Sequence, residues 1–191
     1  MDDQPAFYCF DAVDWTIEDF EADGFVLDIG GGGEGVIGRL KGRQVVAIDL
    51  YEDELKEVAE GPLKIIMDAR ELKFLDASFN ATTAFFSMMY IKTRADHQKV
   101  FAEICRVLKP GGTLRIWDVD LAVRPMTEKE IYAVPVNYRV GADVVQTGYG
   151  QKWPTEPRGE AYYLQLAEAA GFELISKTRN KNTFFFLLKK K

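Results

Sequence analysis

The sequence predicts an α/β fold: a mostly parallel sheet with helices on both faces. Two observations predict it. Between residues 26 and 117, short apolar runs alternate with helix-like stretches, the pattern of strands joined by helical crossovers. The chain then ends in two apolar runs, residues 172–177 and 183–188, joined by only five residues. That connection is too short for a crossover helix, so the closing pair is antiparallel.

Each element has its own signal. Val13, Ile17 and Phe20 stand at helical spacing and predict a helical lead-in over residues 1–24. Residues 26–29 read as a buried strand, followed by a glycine run and a short helix over 36–40. Residues 45–49 form the next strand. A helix pattern over 52–60 stops at Gly61-Pro62, and strands follow at 63–67 and 81–87. Residues 93–108 are the clearest helix. Thr93 and Asp96 resemble a capping box, and Val100, Phe101, Ile104, Cys105 and Leu108 form one apolar stripe. Lys109-Pro110-Gly111-Gly112 ends it, and residues 113–117 are the fifth strand. A helix near 160–170 ends at Gly171 and leads into the closing pair.

The pattern changes over residues 121–158. Tyr132, Val134, Val136, Tyr138 and Val140 alternate before a turn at Gly141-Ala142-Asp143, which predicts an inserted hairpin or lid. Pro135 would confine its first arm to a sheet edge. A short helix from Thr127, with Glu130 at its third position, competes for the same residues.

Composition narrows the function. The 191 residues suffice for one domain, 47% are hydrophobic, and the net charge is −6. An acidic balance disfavours a nucleic-acid partner, which needs a basic stripe. Cys9 and Cys105 have no metal-ligand spacing, so no metal is expected. No apolar run approaches the length of a bilayer span, no leader segment is evident, and the expected compartment is the cytoplasm.

The chemistry concentrates at Val26-Leu27-Asp28-Ile29-Gly30-Gly31-Gly32-Gly33-Glu34-Gly35. A strand that breaks into glycine lets backbone approach a ligand closely. Gly30, Gly32 and Gly35 satisfy the dinucleotide pattern G-x-G-x-x-G, and Asp49 follows Gly30 by 19 residues, where a ribose-binding acid belongs. Those two features alone would give an NAD site. Asp28 argues otherwise: a carboxylate two residues before the turn repels a pyrophosphate and suits a cofactor bearing an ammonium group. Asp68-Ala69 adds a polar group at the end of the third strand. The antiparallel closing pair also weighs against the NAD reading.

Taken in order, these segments resemble the class I S-adenosylmethionine-dependent methyltransferases. Residues 26–35 resemble that family's first motif, Val45-Val46-Ala47-Ile48-Asp49-Leu50 its second, and Met67-Asp68-Ala69 its third-strand motif. Residues 106–114, Arg-Val-Leu-Lys-Pro-Gly-Gly-Thr-Leu, are similar to its segment before the fifth strand. The likeness covers residues 25–118. Two departures stand out: the glycine spacing after Gly32 is wider than usual, and Phe79-Asn80 replaces a common Phe-Asp.

The resemblance implies a Rossmann-like seven-stranded sheet with its last strand antiparallel, and S-adenosylmethionine as cofactor. It implies backbone contacts from Gly30, Gly31 and Gly32, and an ammonium partner in Asp28. Asp49 would bind the ribose hydroxyls and Leu50 would pack on the adenine. Asp68 with Ala69 would meet the adenine amino group, and Ser87 and Met88 would border the methionine end. The expected reaction is methyl transfer to an acceptor, most simply a small molecule. A non-catalytic S-adenosylmethionine-binding module and an NAD-dependent oxidoreductase are the alternatives. Tyr90, His97 and Asp118 are the candidates for a catalytic side chain. His97, on the face of Phe101 and Ile104, equally reads as a buried helix residue, and Asp118 and Asp120 equally read as turn caps. Tyr132, Tyr138, Tyr149 and Trp153 would form a lid over an apolar or aromatic acceptor, or a satellite core.

Overall fold

A computed structural model describes residues 6–191. In chain order its elements are β1 (Tyr8–Cys9), β2 (Val13–Ile17), β3 (Val26–Ile29), α1 (Val36–Lys41), β4 (Val45–Asp49), α2 (Glu52–Glu57), β5 (Leu63–Ile66), β6 (Phe79–Phe85), α3 (Arg94–Val107), β7 (Leu108–Val119), β8 (Ile131–Val140), β9 (Asp143–Lys152), α4 (Glu160–Ala169), β10 (Phe172–Asn180) and β11 (Thr183–Lys190). A seven-stranded sheet runs in the order β10-β11-β7-β6-β3-β4-β5. β11 is antiparallel to both of its neighbours, and the other pairings are parallel. This is the predicted Rossmann-like α/β sheet, with the reversed strand where the short closing connection required it.

Alternation along the strands sorts the core into two layers. Leu27, Ile29, Leu114, Ile116, Phe184 and Phe186 face α3 and α4, where Val100, Phe101, Ile104, Tyr163 and Leu166 meet them. Val26, Val45, Ala47, Phe85, Trp117 and Val119 face the other way, toward α1, α2 and a second, smaller sheet. In that sheet β8 pairs with β9 on one edge and with β1 and β2 along the other. Its inward face, with Tyr132, Val134, Val136 and Tyr138 all buried, lies in the second layer of core.

α3 starts as the capping box predicts. Thr93 Oγ1 accepts the Asp96 backbone N–H at 3.0 Å, which satisfies a donor that the first helical turn leaves free. β7 follows without a loop, and a register shift beside Asn80 absorbs the offset between it and β6.

Three expectations change. The helical lead-in is not formed: β1 and β2 occupy that region, and residues 1–5 lie outside the described part. Val13 and Ile17 are four apart, a spacing that fits one helical face and one strand face alike. Trp15, buried between them while Asp14 and Thr16 are exposed, shows the period to be two. The competing helix at Thr127 is also absent; a loop leads from β7 to β8. Pro135, finally, does not put β8 at an edge. β1 pairs with Tyr132 and Ala133, and β2 pairs from Val136 onward, so the residue without an N–H falls in the interval between two partners.

Candidate functional site

The carboxyl ends of β3, β4, β5 and β6 open into a cavity of about 790 Å³. This is where parallel α/β sheets take their ligands. Gly30 to Gly33, Glu34, Asp49, Leu50, Asp68, Ala69, Ser87 and Tyr90 line it, and Gly148, Tyr149 and Gln151 of β9 close one side.

The glycine loop needs its glycines for two physical reasons. Gly30 has φ +66, and a Cβ there would lie 2.5 Å from Ser87 Cβ. Ser87 in turn donates its hydroxyl to the Ile29 carbonyl at 2.7 Å, locking β6 against the loop. At Gly32 the limit is close approach: a Cβ would lie 2.9 Å from Asp49 Oδ2 and 2.6 Å from Glu54 Cβ. The loop is pinned by the Gly31 N–H to the Ile48 carbonyl at 3.0 Å and the Gly33 N–H to the Glu54 carbonyl at 2.9 Å. Gly33 and Gly35 both have left-handed φ, so the extra residue after Gly32 is taken up before α1 begins.

The carboxylates differ in state. Asp28 is buried beneath Gly31, and the Thr83 hydroxyl donates to it at 2.7 Å. Burial pushes its carboxyl up to about 7. Asp49 ends β4 with Oδ1 accepting the Tyr51 N–H at 3.0 Å, which turns Oδ2 toward the glycines. Asp68 lines the far end in a fork with Arg70, whose Nε donates to Oδ1 at 3.0 Å and Nη2 to Oδ2 at 2.7 Å; these bonds hold its carboxyl below the usual range. Leu50 is 53% exposed, an apolar side chain left open beside the cavity. Like charges gather round Glu54, where burial first and then Asp49, Glu57 and Glu34 raise its pKa.

The structure brings Asp28, Gly30, Gly31, Gly32, Asp49, Leu50, Asp68, Ala69, Ser87 and Tyr90 to one cavity. It does not bring Met88, His97 or Asp118. Met88 is fully buried, because a 3-10 turn over Met88–Tyr90 rotates it into the core and turns Tyr90 outward. His97 is also fully buried. Its Nε2 lies 3.0 Å from the Met88 carbonyl, and Nδ1 lies 3.1 Å from both the Thr93 carbonyl and the Tyr162 hydroxyl. Burial lowers its pKa to about 4, so the ring is neutral at pH 7. Asp118 is closed off as well and accepts the Met89 N–H at 3.0 Å and the Val119 N–H at 2.7 Å. His97 and Asp118 therefore hold the turn that presents Tyr90; neither reaches the cavity. Asp120 pairs with Arg179 at 2.7 Å and accepts the Ala122 N–H. Trp153 packs away from the cavity against Tyr8, Phe10 and Tyr132.

Sequence reasoning missed Glu34, Glu54, Arg70 and Phe86. Glu34 carried one signal: it is the only charged residue inside the glycine run. Phe86 carried none, since its left-handed φ of +48 appears only in the folded chain.

Known proteins resemble this chain. The family model described as "Methyltransferase domain" matches residues 27–116. "Putative methyltransferase YqeM" of Bacillus subtilis (strain 168) is 33% identical over an alignment of 114 residues that covers 55% of this chain and 46% of that protein. The chain thus spans about half the length of that curated relative. A solved SAM-dependent methyltransferase of Methanosarcina mazei superposes with a TM-score of 0.65 at 17% identity, covering 90% of this chain and 94% of that one. The PH0226 protein of Pyrococcus horikoshii OT3 superposes with a TM-score of 0.65 at 23% identity, covering 88% and 82%. Residues 27–116 are thus similar to a methyltransferase domain, and the seven-stranded sheet has the fold of the solved SAM-dependent methyltransferase.

Proposed function

We propose that the protein binds S-adenosylmethionine in the cavity and transfers its methyl group to a small-molecule acceptor. The observation that carries this reading is the cradle at Gly32, where only a hydrogen atom fits between the backbone and the Asp49 carboxylate. A backbone that close to a free carboxylate oxygen suits a ribose diol, which needs a bidentate acceptor. Leu50 offers an apolar face for a purine, and Asp68 with Ala69 offers an edge for its amino group. Asp28 suits the ammonium end: a cation beside it would stabilise the charged carboxylate that burial disfavours.

When bound, the cofactor supplies an electrophilic methyl on a sulfonium, whose departure leaves a neutral thioether. The protein's own task is then to hold the acceptor in line and keep water out. Phe85, Phe86, Tyr90 and Tyr149 line the end that would do so. That wall is aromatic, and the cavity as a whole has more carboxylates than cations, which supports an apolar or aromatic acceptor over a nucleic acid. Tyr90 is the one sequence-predicted catalytic candidate that reaches the cavity.

Calorimetry on the whole chain tests the reading. S-adenosylmethionine and S-adenosylhomocysteine are expected to bind and NAD is not; the reverse pattern would overturn it. Charging of Asp28 on binding is expected to release a proton near pH 7, visible as a buffer-dependent enthalpy. Formation of S-adenosylhomocysteine over a panel of small phenols, amines and thiols reads the transfer itself. Binding with no turnover on any of them would favour the non-catalytic module.

A further inference from the structure

Glu34 belongs to the glycine run, but its side chain serves another element. It accepts the Tyr149 hydroxyl at 3.2 Å and also the Thr147 hydroxyl. Both donors stand on the same face of β9. The Tyr149 ring stacks on Phe86, with centroids 4.8 Å apart and planes 3° apart. Phe86 is itself fixed by the sheet: its backbone N–H donates to the Trp117 carbonyl at 2.8 Å, which holds it at a φ that bulky residues seldom adopt. Tyr149 is thus clamped between a rigid ring on the sheet and a carboxylate on the ligand loop.

We propose that Glu34 is a positioning residue that seats Tyr149 against Phe86 and makes this seat depend on the conformation of the glycine loop. The inference rests on the methyltransferase reading for what the loop and the aromatic wall bind. The latch itself does not. A hydrogen bond to a carboxylate is stronger than one between neutral groups, and a Tyr hydroxyl shut in without a partner is costly. Glu34 sits between Gly33 and Gly35, both left-handed, so its direction follows the loop. A ligand that fixes the loop fixes Glu34, and through it the wall against which the acceptor packs. The acceptor side is then completed after the cofactor side is filled, which gives ordered binding with cofactor first.

Amide hydrogen exchange over residues 143–152 tests this on the whole chain, without ligand and with saturating S-adenosylhomocysteine. Without ligand, Glu34→Ala is expected to speed exchange of that segment about tenfold and leave β3 and β6 unchanged. Tyr149→Phe and Thr147→Val each give a smaller part of the effect, and Glu34→Gln, which keeps an acceptor oxygen, restores most of the protection. S-adenosylhomocysteine is expected to slow exchange of the segment in the parent protein and not in Glu34→Ala. Unchanged ligand-free exchange in Glu34→Ala overturns the latch. Equal protection by ligand in both proteins overturns the dependence on the loop. If calorimetry shows no binding to the parent protein, the cofactor reading fails and the ordered-binding claim with it, while the ligand-free comparison still decides the latch.

Discussion

The cavity has two long walls, and they are built differently. One is made by the ends of β3, β4 and β6, central strands of a parallel sheet buried on both faces. Its positions are set by backbone hydrogen bonds and by glycines that admit no Cβ. The other is β9, which is bonded to β8 alone and seated on the body by Tyr149, Thr147 and Glu34. A wall of the first kind tolerates little change in sequence. A wall of the second kind can be recut by exchanging side chains without disturbing the first. Under the proposed function, that division would keep the cofactor side fixed and let the acceptor side vary.

The sharpest way to break the comparison is at Asp49. Asp49→Ala removes a carboxylate from the sheet-built wall and is expected to weaken S-adenosylmethionine binding at least about 100-fold, roughly 2.7 kcal/mol, with β9 exchange in the ligand-free protein unchanged. Calorimetry and exchange on the same sample check both halves, and a loosened β9 would show the walls to be one unit.

Gly30→Ala comes next. It places a Cβ 2.5 Å from Ser87 Cβ at a φ of +66, and it is expected to cost about 2 kcal/mol of stability. Urea titration reads this. A variant as stable as the parent would mean that the sheet-built wall yields more readily than its packing implies.

The smallest effect concerns the seam between the walls, the Met88–Tyr90 turn. Burial holds Asp28 and Asp118 up at about 7 and His97 down at about 4. Unfolded, these groups titrate near about 3.9 and 6.5. Between roughly pH 4 and 7 the folded state keeps two carboxyl protons that the unfolded chain releases, so their contribution falls as pH rises. His97 opposes this. Between roughly pH 4 and 6.5 the unfolded chain takes up a proton that the folded state refuses, so its contribution rises with pH. His97→Gln removes the opposition and is expected to steepen the loss of stability with rising pH by up to about 1.4 kcal/mol per pH unit in that window. Denaturation midpoints at three pH values check it; an unchanged slope would place the His97 ring in contact with solvent.

The sheet-built wall was legible in the sequence because its chemistry leaves little choice. A backbone that passes this close to Ser87 and Asp49 needs Gly30 and Gly32, and a carboxylate that must face them stands at a strand end, as Asp49 does. The Thr93 cap and the stripe of α3 were legible because they are local. What escaped is what depends on distant partners. Val13 and Ile17 fit either period, and only pairing with β8, more than a hundred residues on, makes them a strand. Ser87-Met88-Met89-Tyr90 does not say which side chain faces inward; a 3-10 turn decides it. His97 and Asp118 are reactive types in a core, and their backbone partners, Met88 and Met89, could not be inferred from spacing. The hairpin was readable from its alternation, but its attachment through Glu34 was not.

The interval around Pro135 has a consequence for how the chain folds. β8 collects its partners from both directions in sequence: β9 arrives next to it, while β1 and β2 come from the start of the chain. The local hairpin can form early, but its second edge stays bare until residues 8–17 pair with it. A bare strand edge is an invitation to pair with another chain. Shortening the protein to begin after Ile17 would remove nothing from the glycine loop and yet leave that edge open for good. Such a chain would keep the glycine loop and Asp49 and is expected to associate through that edge.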